Sequence, residues 1–343
     1  MFGLLRVFAI AAVLTAAAVA GGAARANGNP YGVMLWPGPG ENAEIVLARA
    51  RGLGVSWYRP PTVYAARWSH AIPCPVCRVY ADSGLNLVLS VRAEGNSFER
   101  GPARPPTDLA AYRRELGALL DVWHPAMLVV ESEEDNPRAF ETEGDPVEAY
   151  LAELKAACAV AHTYSVACAN GGISGRGAAA VTWMHFLERR EPDRACDFAR
   201  RALASSEAEA ATLCSYRTPS QVPEAERNRV LGNAGRFAAW YRDAPIDAVN
   251  FHWFGRDARA LAEVAGALQQ ITGKPPMTNE MGQRRGQEDA DNVRSLLRAA
   301  FAAGLKVAVW YSLDTADTVS LFGPDGRLRP TGWEFQRQLS GLR

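Results

Sequence analysis

"ARGLGVSWYR", residues 50–59, closes a segment of helical character on Gly-Leu and runs on as an apolar strand. "DSGLNLVLSV" (82–91) and "AAGLKVAVWY" (302–311) repeat that grammar. Glycine at such a junction takes the left-handed position that ends a helix, and the next apolar residue packs back on the last turn. Each junction leads into a near-continuous apolar run, the pattern of a parallel strand buried on both faces. Strands are expected at 31–36, 54–59, 86–91, 126–131, 164–169, 247–253, 275–279 and 305–311, mostly separated by helical patterns. "DPVEAYLAELKAACA" begins one of these helices, with Asp145 as N-cap, Pro146 at the first helical position and Glu148 completing a capping box. Alternating β and α units of this number predict a (β/α)8 TIM barrel, an α/β fold. The stretch from about 171 to 245 is too long for one crossover and reads as a helical insertion between strands 5 and 6. No Pro/Ser-rich linker interrupts residues 27–343, which are expected to form a single domain.

The first 26 residues have the layout of an export signal. Arg6 precedes an apolar core from Val7 to Ala20, and Ala24-Arg25-Ala26 has the form of a cleavage site. A periplasmic or secreted protein is expected, with no integral span in the mature chain because no later apolar run is long enough. The 37 basic and 37 acidic residues leave the chain nearly neutral. No basic run interleaves with aromatics, so nucleic-acid binding is excluded as a leading reading. Six cysteines in an exported chain suggest disulfides. Nearest-neighbour pairing would join Cys74–Cys77, Cys158–Cys168 and Cys196–Cys214, although sequence leaves every pairing open. "PCPVC" (73–77) also has the redox spacing C-x-x-C, but no helix pattern starts there to lower a thiolate pKa. No metal or cofactor is expected, and a monomer is.

In such a barrel, functional groups come from the C-terminal ends of the strands. Those ends read Trp36, Arg59, Arg92, Glu133, Asn170, His252, Glu280 and Trp310. Strand four runs into "ESEEDN" (131–136), and strand seven into "TNEMG" (278–282). Two carboxylates there would face each other across the barrel mouth. That geometry suits cleavage of a glycosidic bond with retention, one acid protonating the leaving oxygen while the other attacks the anomeric carbon. Acids crowded around Glu133 would help it keep its proton, while Glu131, Glu134 and Asp135 themselves read as rim charges.

With these residues in view, the chain resembles the clan of retaining (β/α)8 glycosidases that includes cellulases, mannanases and β-xylosidases. The resemblance implies Glu133 as acid/base and Glu280 as nucleophile. It implies that Arg59, in "WYRPP", holds the nucleophile ionised. It assigns His252, in "VNFHWF", to a substrate-facing position and Trp310, in "VAVWYSLD", to the floor beneath the cleaved sugar. Ser132 stands where the clan usually has Asn, so its hydrogen bond to the sugar would have a shorter reach. Trp36 and Asn170 complete the expected carbohydrate-binding set.

The leading expectation is therefore an exported retaining β-glycosidase acting on an oligo- or polysaccharide. The alternative from another class is a barrel that binds glycan without cleaving it. A minor one is an NAD(P)-dependent oxidoreductase, suggested by Gly38-x-Gly40-x-x-Ala43. Against that, Pro39 removes an N–H from the phosphate-cradling loop, and strand two ends in Arg59 where a ribose-binding acid would stand. "ESEEDN" also has oxygen ligands for calcium, but not the spacing of a calcium-binding loop.

Overall fold

The computed structural model describes residues 29–36, 42–67, 75–94, 102–314 and 318–341. The expected signal segment, Cys74 and most of the Gly38–Ala43 stretch lie outside them. Along the chain, β1 (Tyr31–Met34) leads through α1 (Ala43–Leu53) to β2 (Trp57–Arg59) and the two-residue β3 (Val63–Tyr64). Then come α2 (Pro75–Ala81), β4 (Asn86–Arg92), α3 (Leu109–Trp123), β5 (Met127–Val130), α4 (Pro146–Thr163) and β6 (Ala167–Asn170). Five helices succeed them: α5 (Gly175–Glu188), α6 (Pro192–Phe198), α7 (Glu207–Ser215), α8 (Glu224–Leu231) and α9 (Ala234–Trp240). The chain closes with β7 (Val249–Trp253), α10 (Ala258–Thr272), β8 (Pro276–Met281), α11 (Ala290–Ala302), β9 (Ala308–Trp310) and α12 (Pro330–Ser340).

The sheet order is β6-β5-β4-β2-β1-β9-β8-β7, with β3 beside the end of β4 and every ladder parallel. Its two edges meet through single parallel bridges, Ala169 to Ala248 and Ile173 to Phe251. The architecture is thus a nearly closed (β/α)8 barrel. Strand side chains divide it into two cores, as the two-residue period of a strand requires. Met34, Val88, Met127, Val129, Ala169, Ala248, Met277, Val307 and Val309 fill the interior. Their neighbours along the strands, such as Leu128, Val130 and Trp310, pack outward against the helices.

The junctions that predict this fold behave as their chemistry requires, with one shift. Gly84 and Gly304 are left-handed (φ 76° and 67°), whereas α1 continues through Gly52 and Leu53 and ends at the left-handed Gly54 (φ 84°). Asp145 caps α4, accepting from the backbone N–H groups of Val147 and Glu148. Cys158–Cys168 ties α4 to β6, and Cys196–Cys214 ties α6 to α7. At "PCPVC" the structure differs from expectation, because α2 does start there, at Pro75. Cys77 is nevertheless buried and is not a free thiol. No helix of the described residues is long and apolar enough to cross a membrane.

Candidate active site

β5 ends at Val130, and the next five residues turn sharply, with Glu131 (φ 68°) and Glu133 (φ 49°) both left-handed. Such conformations are costly for residues with a side chain and persist only where surroundings impose them. Here alternate carboxylates are anchored in different directions. Glu131 turns inward, accepting from the Ala93 N–H at 2.7 Å, with the Arg92 Nε 3.7 Å away. Glu134 accepts from Asn170 Nδ2 (2.8 Å) and from the Tyr241 hydroxyl. Asp135 accepts from the backbone N–H and the hydroxyl of Ser174, each at 2.7 Å. Of the three acids read from sequence as rim charges, Glu131 and Glu134 are therefore buried and Asp135 is half-buried. Donors from distant segments hold them, and no local pattern could have revealed those donors. Burial pushes the pKa of Glu131 and of Glu134 up to about 7.

Of these acids, Glu133 is the one that meets His252. Its Oε1 lies 3.2 Å from His252 Nδ1 on β7, and its Oε2 accepts from Asn136 Nδ2 at 2.7 Å. Glu280, at the end of β8, approaches the same imidazole nitrogen at 3.8 Å. These two distances bound the separation of the nearest carboxylate oxygens to about 7 Å. Arg59, at the end of β2 and 1% exposed, donates to Glu280 Oε1 at 2.6 Å, to Ser90 Oγ at 2.8 Å and to Thr62 Oγ1 at 3.2 Å.

His252 is buried with an oxygen at each ring nitrogen. Nε2 lies 3.0 Å from Asn279 Oδ1, which already accepts from Asn250 Nδ2. A ring between two acceptors satisfies both only as the doubly protonated imidazolium. Burial opposes that charge, but Glu280 and Glu133 outweigh it and raise the pKa of His252 above its ordinary value. For Glu133, burial raises the pKa, yet the hydrogen bond and charge of His252, with Asn136 and Arg92, bring it below the ordinary value. For Glu280, burial is likewise outweighed by His252 and Arg59, and that carboxyl too is lowered. The expectation that neighbouring acids hold a proton on Glu133 is thus corrected: those acids are engaged elsewhere, and His252 and Asn136 hold its pKa below the ordinary value. The close fit needs Gly172 beside the ring (φ 111°), since a Cβ there would lie 2.5 Å from His252 Nε2.

Of the other sequence candidates, Trp36 is 49% exposed just after β1, its backbone N–H donating to Asp314 Oδ1. Ser132 is buried in the β5 turn. Two candidates do not face the mouth. Trp310 is 1% exposed and packs edge-on against Phe335 of α12 at 5.8 Å, on the outer face of β9. Tyr311, one residue on, packs against the interior cluster and edge-on to Phe254 at 5.7 Å. The period-two alternation of β9 was the signal available for finding it. Asn170 is fully buried and clasps the barrel edges: its Nδ2 donates to Asn250 O, and its Oδ1 accepts from Asn250 N. Sequence reading also missed Asn136, Ser90 and Asn250, whose partners come from other strands and turns. Among the described residues no cluster of His, Cys, Asp and Glu could hold a metal ion.

At the level of sequence, no family model and no curated protein matches the chain. Solved structures do match in fold. An endo-β-1,3-glucanase of glycoside hydrolase family 128 from Amycolatopsis mediterranei, in complex with laminarihexaose, is similar with TM-score 0.51 and 14% identity. That match covers 90% of this chain and 99% of the other. A hyperthermostable endo-1,4-β-D-mannanase from Thermotoga petrophila gives TM-score 0.55 and 10% identity over 90% and 99% of the two chains. A family 39 glycoside hydrolase from Bacteroides cellulosilyticus gives TM-score 0.55 and 14% identity over 91% and 64%. The chain shares the (β/α)8 fold of these hydrolases.

Proposed function

We propose that the protein is an exported retaining β-glycosidase that hydrolyses an oligo- or polysaccharide by double displacement. The observation carrying this reading is that Glu133 and Glu280, 147 positions apart in the numbering, flank one imidazole nitrogen at the C-terminal end of the barrel. Glu280, held ionised by Arg59 and His252, attacks the anomeric carbon, and the bond from that carbon to the leaving oxygen breaks. Glu133 gives that oxygen a proton, which it draws from His252 Nδ1–H. In the second half, water loses a proton to Glu133, attacks the same carbon and releases Glu280. Retention calls for carboxyls about 5–5.5 Å apart and inversion for about 6.5–9.5 Å. A ring nitrogen shared by both carboxylates supports the shorter spacing. Trp36 and Tyr311 are the aromatic surfaces offered to sugar rings, with Tyr311 in the place first assigned to Trp310, and Ser132 offers a hydroxyl beside Glu133. The two disulfides among the described residues support an oxidising destination.

The test is hydrolysis of a panel of aryl β-glycosides and β-glucans. Glu280→Gln is expected to abolish turnover of every substrate. Glu133→Ala is expected to lose about 10²–10⁴-fold on unactivated glycans, and far less on dinitrophenyl glycosides whose leaving group needs no proton. NMR should show the β-anomer as first product; the α-anomer appearing first overturns retention. A second reading, a glycan binder without turnover, is favoured by Ser132 standing where the clan has Asn. Glycan binding that survives both substitutions, with no hydrolysis by the wild type, identifies it.

A further inference from the structure

A cavity of about 810 Å³ opens beside Glu133, within the roughly 300–1,000 Å³ range of small-molecule sites. Its walls come from the β5 turn, the helices between β6 and β7, and the loops after β7 and β8. Glu133 lines it; Glu280, Arg59 and Trp36 do not. It therefore lies on the side of the acid, where the departing part of a substrate sits.

The charged groups of this cavity divide into two sets. Arg176, Arg201 and Arg229, from the inserted helices, are already neutralised. Arg176 pairs with Glu209, Arg201 with Asp197, Asp257 and Glu263, and Arg229 with Glu209 and Glu226. The lining acids are equally committed: Glu133 to His252 and Asn136, Asp135 to Ser174, and Asp257 to Arg201 and the Ala260 N–H. Two further lining arginines are held more loosely, Arg284 without a carboxylate partner among the described residues and Arg256 in a long ion pair with Asp289. Arg284 makes one hydrogen bond, from Nε to the Phe254 carbonyl at 3.2 Å, and no ion pair among the described residues. Arg256 comes no closer than 3.7 Å to a carboxylate, that of Asp289. Trp253 also lines the cavity, with its indole N–H buried. What the cavity has to offer a ligand is thus the loosely held guanidinium groups of Arg284 and Arg256. A neutral sugar, whose hydroxyls both donate and accept, would leave that charge unmatched.

We propose that the cavity binds the leaving-group portion of an anionic glycan, whose departing sugar carries a carboxylate or sulfate gripped by Arg284 and Arg256. This rests on reading Glu133 as the acid that protonates the leaving oxygen. The inserted helices supply the neutral wall, and the loops after β7 and β8 supply the selecting charge.

The probes are matched β-1,3- and β-1,4-gluco-oligosaccharides in three forms: neutral, oxidised to the carboxylate at C6, and sulfated at O6. Calorimetric titration of the full-length protein is expected to show an anionic form binding about tenfold or more tighter than the neutral one, with the gap narrowing as salt rises. The carboxylate and sulfate arms separate the two sources of charge. Arg256→Ala/Arg284→Ala should close the gap, while Arg256→Lys/Arg284→Lys should keep part of it. Equal or absent binding of charged and neutral forms, or a preference that survives loss of both arginines, overturns the proposal. The catalytic reading fails differently: turnover indifferent to Glu133 and Glu280 would sink it while leaving arginine-dependent binding in place.

Discussion

Glu134 illustrates how a single carboxyl can couple this site to solution conditions. It is fully buried, and its pKa rises from the ordinary 4.5 to about 7 because desolvation, reinforced by Asp135, exceeds the help of Tyr241 and Asn170. A folded-state pKa above the unfolded one means the native state binds the proton more tightly. The stability so gained is complete below the unfolded pKa and is lost as pH rises through about 7. Between pH 5 and 8 the loss through this group is about 2.5 kcal/mol. Glu134→Gln keeps an acceptor for Tyr241 and Asn170 but cannot ionise. Its urea midpoint should therefore fall less between those pH values than the wild-type midpoint; equal falls would remove Glu134 from the account. The residue scale is also where sequence reading was most uneven. Glu133, Glu280, Arg59 and His252 were legible because a charged side chain ending an apolar strand is a conspicuous pattern. Trp310 was misread by one position on β9. The anchoring of Glu131, Glu134 and Asp135 was invisible because Ala93, Tyr241 and Ser174, which satisfy them, lie tens of residues away or on another element.

Elements were easier to read than residues, because each carries its own stop signal. All eight barrel strands lie within or beside the apolar runs at 31–36, 54–59, 86–91, 126–131, 164–169, 247–253, 275–279 and 305–311. β3 was missed, since two residues carry no period. The helix at Pro75 was missed because seven residues give too few turns for an apolar stripe to declare itself. The Cys158–Cys168 bond joins the end of α4 to β6, the strand whose Asn170 meets Glu134. Closing so short a loop restrains the unfolded chain by an entropy worth about 3 kcal/mol. Cys158→Ser/Cys168→Ser is expected to lower the unfolding free energy by about that amount in denaturant titration. An unchanged midpoint would mean that packing of α4 on β5 and β6 already fixes that strand.

At the level of the whole molecule, the barrel is not uniformly joined. Seven of its strand pairs are ladders, while β6 and β7 meet through the two isolated bridges and the side chains of Asn170 and Asn250. Sequence could foresee neither the seam nor its clasp, because closure depends on residues some 80 positions apart. Asn170→Ala removes three side-chain hydrogen bonds and strands a partner on Glu134. It should cost about 2–4 kcal/mol and speed amide exchange in β6 and β7 ahead of β4 and β5. Exchange that quickens evenly around the ring would show that the asparagine pair is not what holds the edges together. The same seam carries α5–α9, and with them one wall of the cavity beside Glu133. A ring that already tolerates a gap there can accept a different length of chain without rethreading its other strands. The stretch from Pro192 to Leu231 is thus free to vary in length, provided that Gly177 stays beside Asp135 and Tyr241 stays on Glu134.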